Sequence, residues 1–155
     1  AVRGDSPARA LTELNEFLAR RSASDEFATI FLVAIHPDGR IEACDAGHGL
    51  AFMIGVHGAR RVDSDGGPHV GAAAGIDFGA SETVLERGDR LLLVTDGVHE
   101  QRSRDGDQFG LERIMGVLGA KRTGADDVGT LLAELSRFAG ERFDDDVTIL
   151  SITRS

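Results

Sequence analysis

The sequence predicts an α+β fold with a largely antiparallel sheet. Three observations carry this: apolar runs of strand length separated by turn signals between residues 27 and 95, apolar stripes at helical spacing near the start and after residue 110, and a last apolar run at Val147 to Thr153. Strands joined by short turns pair antiparallel, and helices grouped apart from them form their own layers rather than βαβ crossovers. A chain of 155 residues is long enough for one core and needs no second, so a single domain over 1–155 is expected.

Ser6-Pro7 supplies a helix N-cap and a proline at the first helical position. Leu11, Leu14, Phe17 and Leu18 follow at helical spacing, predicting a helix over Pro7–Arg21 with these residues as its stripe. The polar stretch Ser22 to Glu26 reads as a loop. Phe27 to Ile35, FATIFLVAI, is nearly all apolar and rich in β-branched residues, the pattern of a central strand. Pro37-Asp38-Gly39 is a turn signal, and Arg40 to Asp45 alternates behind it, so the two runs form a hairpin. Ala46-Gly47-His48-Gly49 is a tight loop, Ala51 to Val56 a strand, His57-Gly58 a turn, and Arg60 to Val62 a short strand that completes a meander.

Between Asp63 and Gly79 lie five glycines and three alanines without periodicity, and an irregular surface loop is expected there. Ser81 to Glu86 and Arg90 to Thr95 flank Arg87-Gly88-Asp89 and read as a second hairpin. The same triplet occurs at Arg3 to Asp5, and both read as turns rather than as an adhesion signal. Leu111, Ile114, Met115 and Leu118 make one face of a helix that ends near Gly119. Asp126 caps another, with Val128, Leu131, Leu132, Leu135 and Phe138 facing inward and Gly140 beyond its end.

Apolar residues make up 41% of the chain and charged residues 28%, and no apolar run approaches the ~18 residues of a membrane span. A formal charge of −9 would repel a nucleic-acid backbone, so nucleic acid is not an expected partner. An anionic substrate would need a metal or local arginines to supply positive field, and sixteen of the seventeen basic residues are arginine, Lys121 being the exception. Cys44 is the single cysteine and cannot form an internal disulfide. With no leader resembling a signal peptide, this points to a reducing cytoplasm. The chain begins at Ala1 rather than methionine, and a processed form or a fragment is expected.

Familiar sites are missing from the sequence: there is no GxxxxGK[ST] loop, no GxSxG elbow, no HExxH helix, and no set of paired cysteines for zinc. Residues 101–112 put Gly106 and Glu112 where a calcium loop wants them, but Gln101 and Ser103 hold its first and third ligand positions and a strand precedes it. Calcium binding is not expected there. The more informative stretch is Leu91 to Glu100, LLLVTDGVHE, a buried-strand pattern that ends in Asp96. Asp96 must then be exposed, hydrogen-bonded or holding a cation, although Asp-Gly is equally a turn signal. Asp144-Asp145-Asp146 stands just before the last strand. If the two strands are neighbours, these carboxylates converge at one end of the sheet, a set of hard oxygen ligands suited to Mg²⁺ or Mn²⁺. The alternative is that the triple aspartate is a solvated turn or a charged guard on an aggregation-prone strand.

LLLVTDGVHEQRSRDGDQFGLERI, the downstream FDDDVTIL and the upstream DAGHG together resemble the bacterial SpoIIE-type branch of the metal-dependent (PPM) serine/threonine phosphatases, in the same order and over nearly the whole chain. The resemblance implies an α/β/β/α sandwich, two antiparallel sheets flanked by helices, with acidic residues at one end holding Mn²⁺ or Mg²⁺. It matches Asp96 to the aspartate of the family's TDG segment and Asp145 to the metal-binding aspartate of its DD-x-T segment, with Asp146 the choice if the register moves by one. No catalytic side chain is assigned. The implied reaction is hydrolysis of phosphoserine or phosphothreonine by a metal-activated water. The substrate implied is a phosphorylated regulatory protein of the anti-sigma-factor antagonist type, in a stress or sporulation switch.

The family's GGD-type and GDVSGHG-type segments, each carrying a further metal-binding aspartate, have no counterpart here. The chain is therefore expected to correspond to the C-terminal portion of the domain, with a sheet edge left uncovered. Asp45 stands where the family's AGH segment usually has asparagine, and His48 is read as a turn residue. Two functions compete: the phosphatase, and a non-catalytic PPM-like regulatory module without a full metal shell.

Overall fold

The computed structural model describes residues 6–21, 27–120, 126–140 and 142–155, so the loop expected at 22–26 and the triplet at 3–5 lie outside the described residues. In chain order the elements are α1 (Pro7–Arg21), β1 (Ile30–Ile35), β2 (Arg40–Ala46), β3 (Ala51–Gly55), β4 (Gly58–Arg61), β5 (Ser81–Val84), β6 (Arg90–Val94), α2 (Asp96–His99), α3 (Gly110–Gly119), α4 (Asp127–Ala139) and β7 (Ile149–Thr153). They form the two antiparallel sheets with flanking helices that the sequence predicts, in strand orders β1-β2-β5 and β4-β3-β6-β7. The chain divides into two compact units, Ala1–Gly49 with Asp63–Leu85, and Leu50–Val62 with Glu86–Ser155. Among the described residues no helix is long and apolar enough to cross a membrane.

In the first unit, β1 and β2 make the expected hairpin, with Phe31 opposite Asp45. Its turn is closed by the N–H of Gly39 donating to His36 O at 2.9 Å, and Gly39 takes φ 94°, a conformation that only glycine holds without strain. β5 joins the other side of β2, so β1 is an edge strand and not the central one. None of its residues is fully buried. An apolar run shows that a strand has covered faces and says nothing of how many edges are paired, so composition alone does not place β1 within the sheet.

Leu11 of α1 packs with Cys44, Ala46, Val70 and Phe78. The predicted stripe is only partly inward: Phe17 is 49% exposed, whereas Asn15, one turn after Leu11, is buried. Its amide donates to Ala73 O at 2.9 Å and accepts from the Gly71 N–H at 2.8 Å. A polar side chain thus occupies the core face because the irregular 63–79 loop presents backbone groups that need partners. Cys44 is fully buried, and burial, with the Asp45 charge adding to it, pushes the thiol up to about 11. Thiolate is therefore scarce at neutral pH, and Cys44 serves packing rather than nucleophilic chemistry.

In the second unit, Phe52, Ile54, Leu92 and Val94 of the sheet pack under Ile114 and Leu118 of α3 and Leu131 and Leu135 of α4. The Asp126 side chain accepts from the Gly129 N–H at 2.8 Å as the N-cap of α4, and Gly140 at φ 85° ends that helix, both as predicted. Leu132 departs from the prediction and is 39% exposed. Asp127, buried in the first turn, is paired with the Arg90 guanidinium and ties α4 to β6. The second hairpin is not formed. Its turn exists, with Asp89 N–H donating to Glu86 O at 3.0 Å, but β5 pairs with β2 while β6 pairs with β3 and β7. A turn signal fixes a local reversal and not which strands share a ladder.

Candidate metal centre

β6 and β7 are neighbours, paired antiparallel with Val94 opposite Ile149. The pairing continues past the strands through one residue: Thr95 N–H donates to Thr148 O at 3.1 Å, Thr148 N–H donates to Thr95 Oγ1 at 2.9 Å, and the Thr95 hydroxyl donates to Asp146 O at 3.2 Å. Thr95 therefore zips the end of β6 to the segment carrying the three aspartates. Asp96 opens the one-turn helix α2 immediately after it.

Gly97 makes the close approach possible. A Cβ built there would lie 2.3 Å from Asp146 O and 3.1 Å from the Asp146 carbonyl carbon. Any side chain would push the 145–146 backbone away, so the glycine of the Asp-Gly pair is set by packing here, and the Asp-Gly turn reading gives way to a helix start.

Asp96 and Asp145 are both exposed. Asp96 Oδ1 accepts from the Gly97 N–H at 3.0 Å and Asp145 Oδ1 from the Asp146 N–H at 2.7 Å. Among the described residues, each has no hydrogen bond to its second carboxylate oxygen. Asp144 differs: its Oδ2 accepts from Gln101 Nε2 at 2.9 Å and from the Arg102 N–H at 3.1 Å. Two donors thus hold one oxygen of Asp144. Asp145, not Asp146, lines a cleft of about 740 Å³ together with Gly97, Arg102, Arg104 and Arg142.

The donor chemistry suits a hard divalent cation, since both candidate ligands are carboxylates. It is a partial shell. Among the described residues no three His, Cys, Asp or Glu side chains gather as a metal cluster.

The loop after α2 is organised by Ser103, whose N–H donates to Asp107 O at 2.8 Å and whose Oγ accepts from the N–H groups of Asp105 and Asp107 at 3.2 Å each. This loop and the chain after α4 bring three arginines into one cleft. Neither Gln101 nor these arginines stood out in the sequence, where they carry no periodicity or spacing. In the first unit, Asp45 caps its own loop: Oδ1 accepts from the His48 N–H at 2.7 Å and Oδ2 from the Gly49 N–H at 2.8 Å. A carboxylate has an acceptor oxygen for each, where asparagine has one. His48 is half-buried, its ring 6.2 Å from that of Phe31.

A family model described as stage II sporulation protein E (SpoIIE) matches residues 1–155. Protein IcfG of Synechocystis sp. (strain ATCC 27184 / PCC 6803 / Kazusa) is 26% identical over 132 residues, covering 83% of this chain and 21% of its own length. Among solved structures, the SiaA-PP2C domain of Pseudomonas aeruginosa superposes with a TM-score of 0.81 at 20% identity, over 99% of this chain and 63% of that one. The RsbU and RsbW domains of Rv1364c from Mycobacterium tuberculosis give 0.75 at 24% identity, over 97% and 43%. The phosphatase domain of the cell fate determinant SpoIIE from Bacillus subtilis, presoaked in Mn, gives 0.69 at 19%, over 98% and 68%. The chain thus spans about a fifth of the curated relative that it matches.

Proposed function

Because the chain belongs to the SpoIIE family, we propose that it is the C-terminal part of a metal-dependent serine/threonine phosphatase domain acting on a phosphorylated regulatory protein in the cytoplasm. The observation that supports this reading is that Asp96 stands just past the end of β6 while Asp145 lies in the segment before β7 that Thr95 ties to the end of β6. Asp96 and Asp145 would hold Mn²⁺ or Mg²⁺, each through the oxygen that no backbone N–H occupies. Such an ion, when bound, supplies an acidified water and neutralises charge on phosphoryl oxygens.

The chain's own part is to bind and orient. Arg102, Arg104 and Arg142 bring three guanidinium groups to the cleft that Asp145 lines with Glu100 and Asp144, so donors for a phosphoryl group stand beside the carboxylates in a chain of net charge −9. That meets the need of a phosphorylated substrate. Similarity in fold to an RsbU domain and to the cell fate determinant SpoIIE supports a regulatory phosphoprotein, of the anti-sigma-factor antagonist type, as substrate. The second reading, a regulatory module that binds without hydrolysis, is favoured by the partial carboxylate shell among the described residues.

Phosphate release from a phosphoserine peptide, measured with and without Mn²⁺ on this chain and on a form extended at its N-terminus, separates the two. Turnover that needs Mn²⁺ is expected from the extended form; peptide binding with no turnover in either form would establish the binding module instead. Arg142→Ala should raise KM for the peptide about three- to fivefold, the size of one exposed ion pair, with the difference shrinking as salt is added. An unchanged KM at low salt would remove Arg142 from the substrate site.

A further inference from the structure

We infer that Gln101 is a positioning residue of the metal centre, holding through Asp144 the backbone that carries Asp145; the inference rests on the metal-binding reading of Asp96 and Asp145. Gln101 is 2% exposed, an unusual place for an amide beside an open cleft. Every hydrogen-bonding group of its side chain is used toward this purpose. Nε2 donates to Asp144 Oδ2 at 2.9 Å and to Arg102 O at 2.9 Å, and Oε1 accepts from the Asp144 N–H at 3.0 Å. The two bonds to Asp144 are reciprocal, so they fix both its backbone and its carboxylate. The Gln101 carbonyl accepts from the N–H of Phe109 at 2.8 Å, and Phe109 is a core residue, so the clamp is anchored to the packed interior.

Asp145 sits between two such anchors. On one side the Asp146 carbonyl is held by the Thr95 hydroxyl, and on the other Asp144 is held by Gln101. The described residues between α4 and β7 lie in no helix or strand. Releasing Gln101 therefore leaves the Asp144 side of Asp145 held by the packing of Phe143 on the core, without a hydrogen bond from Gln101 to fix the Asp144 backbone. The pattern is that of an outer partner that orients a metal ligand without touching the ion, whose loss typically weakens metal affinity ~10–100-fold. The amide is required chemically. A glutamate would keep the shape and the acceptor for Asp144 N–H but set a carboxylate against the Asp144 carboxylate in a buried place.

The test is Mn²⁺ affinity of the intact chain, read by electron spin resonance of free Mn²⁺, with folding followed by thermal melting. Gln101→Ala and Gln101→Glu should each lose roughly tenfold or more in affinity. Asp144→Ala, at an exposed position, keeps its N–H on Gln101 Oε1 and loses only the carboxylate half of the clamp, so it should lose part of that affinity, and adding it to Gln101→Ala should cost little further. Asp144→Asn keeps an acceptor for Gln101 Nε2 and should stay within about threefold of the wild type. Wild-type affinity in Gln101→Ala and Asp144→Ala, alongside lost affinity in Asp96→Asn, would overturn the positioning role alone. Failure of Asp144→Asn to the same degree as Asp144→Ala would make Asp144 a ligand and also overturn it. No Mn²⁺ binding by the wild type would instead defeat the metal reading beneath it. Should the Gln101 variants unfold, the Asp144 pair still decides the matter.

Discussion

Asp96→Asn is expected to lower Mn²⁺ affinity by about two orders of magnitude and to abolish Mn²⁺-dependent phosphate release, while the melting midpoint hardly moves. The substitution keeps the side chain's size, and the amide oxygen still accepts from the Gly97 N–H, so the start of α2 is preserved. What it removes is one negative charge from a site that would hold two positive ones. Unit charges 4 Å apart interact by about 4 kcal/mol at an effective dielectric of 20, and about 2.7 kcal/mol already corresponds to a hundredfold in affinity. Asp96 is exposed and makes no ion pair among the described residues, so the change in stability should stay within about 0.5 kcal/mol. If the variant binds Mn²⁺ as the wild type does, Asp96 is only the opening residue of a helical turn. Asp145→Asn and Asp146→Asn measured beside it assign the second ligand: loss in the first and retention in the second is the expected pattern.

Much of this architecture is legible in the residues. The start of α1 follows from Ser6-Pro7, and both ends of α4 from Asp126 and Gly140, because caps act locally and their chemistry is written in the chain. The first hairpin is legible for the same reason, through Pro37-Asp38-Gly39. Partnership is not local. The Glu86–Asp89 turn looks no different from the first, yet its strands separate into two sheets, and β1 carries the composition of a central strand while lying at an edge. The candidate metal ligands are intermediate. Asp96 and Asp145 can be picked out because one follows an apolar run and the other stands just before one, but that the two runs are neighbours is decided only by the ladder. Gln101 was beyond reach. A buried amide that serves a backbone 43 residues away leaves no period, spacing or charge pattern in its own neighbourhood.

Gly97→Ala should lower both Mn²⁺ affinity and stability, and the two losses have one cause. In the middle of the short α2 helix alanine is the better residue by about 1 kcal/mol, so local propensity predicts a gain. Gly97 is also not among the glycines at positive φ, and alanine can adopt its backbone conformation. The opposing effect is steric: the added carbon would sit 2.3 Å from Asp146 O, a backbone atom with no rotamer to relax into. The 145–146 segment has to retreat, straining the Thr95 hydroxyl bond to Asp146 O and carrying Asp145 away from Asp96. Overpacking of this kind costs about 1–3 kcal/mol, enough to outweigh the propensity gain. Metal affinity should fall by about tenfold or more, since displacing a ligand by a fraction of an ångström degrades a site whose geometry is fixed from both sides. Mn²⁺ titration and thermal melting of the same sample test the linkage. A variant more stable than the wild type with unchanged affinity would mean that the chain around Asp145 yields freely, and that the close approach at Gly97 does not position the site.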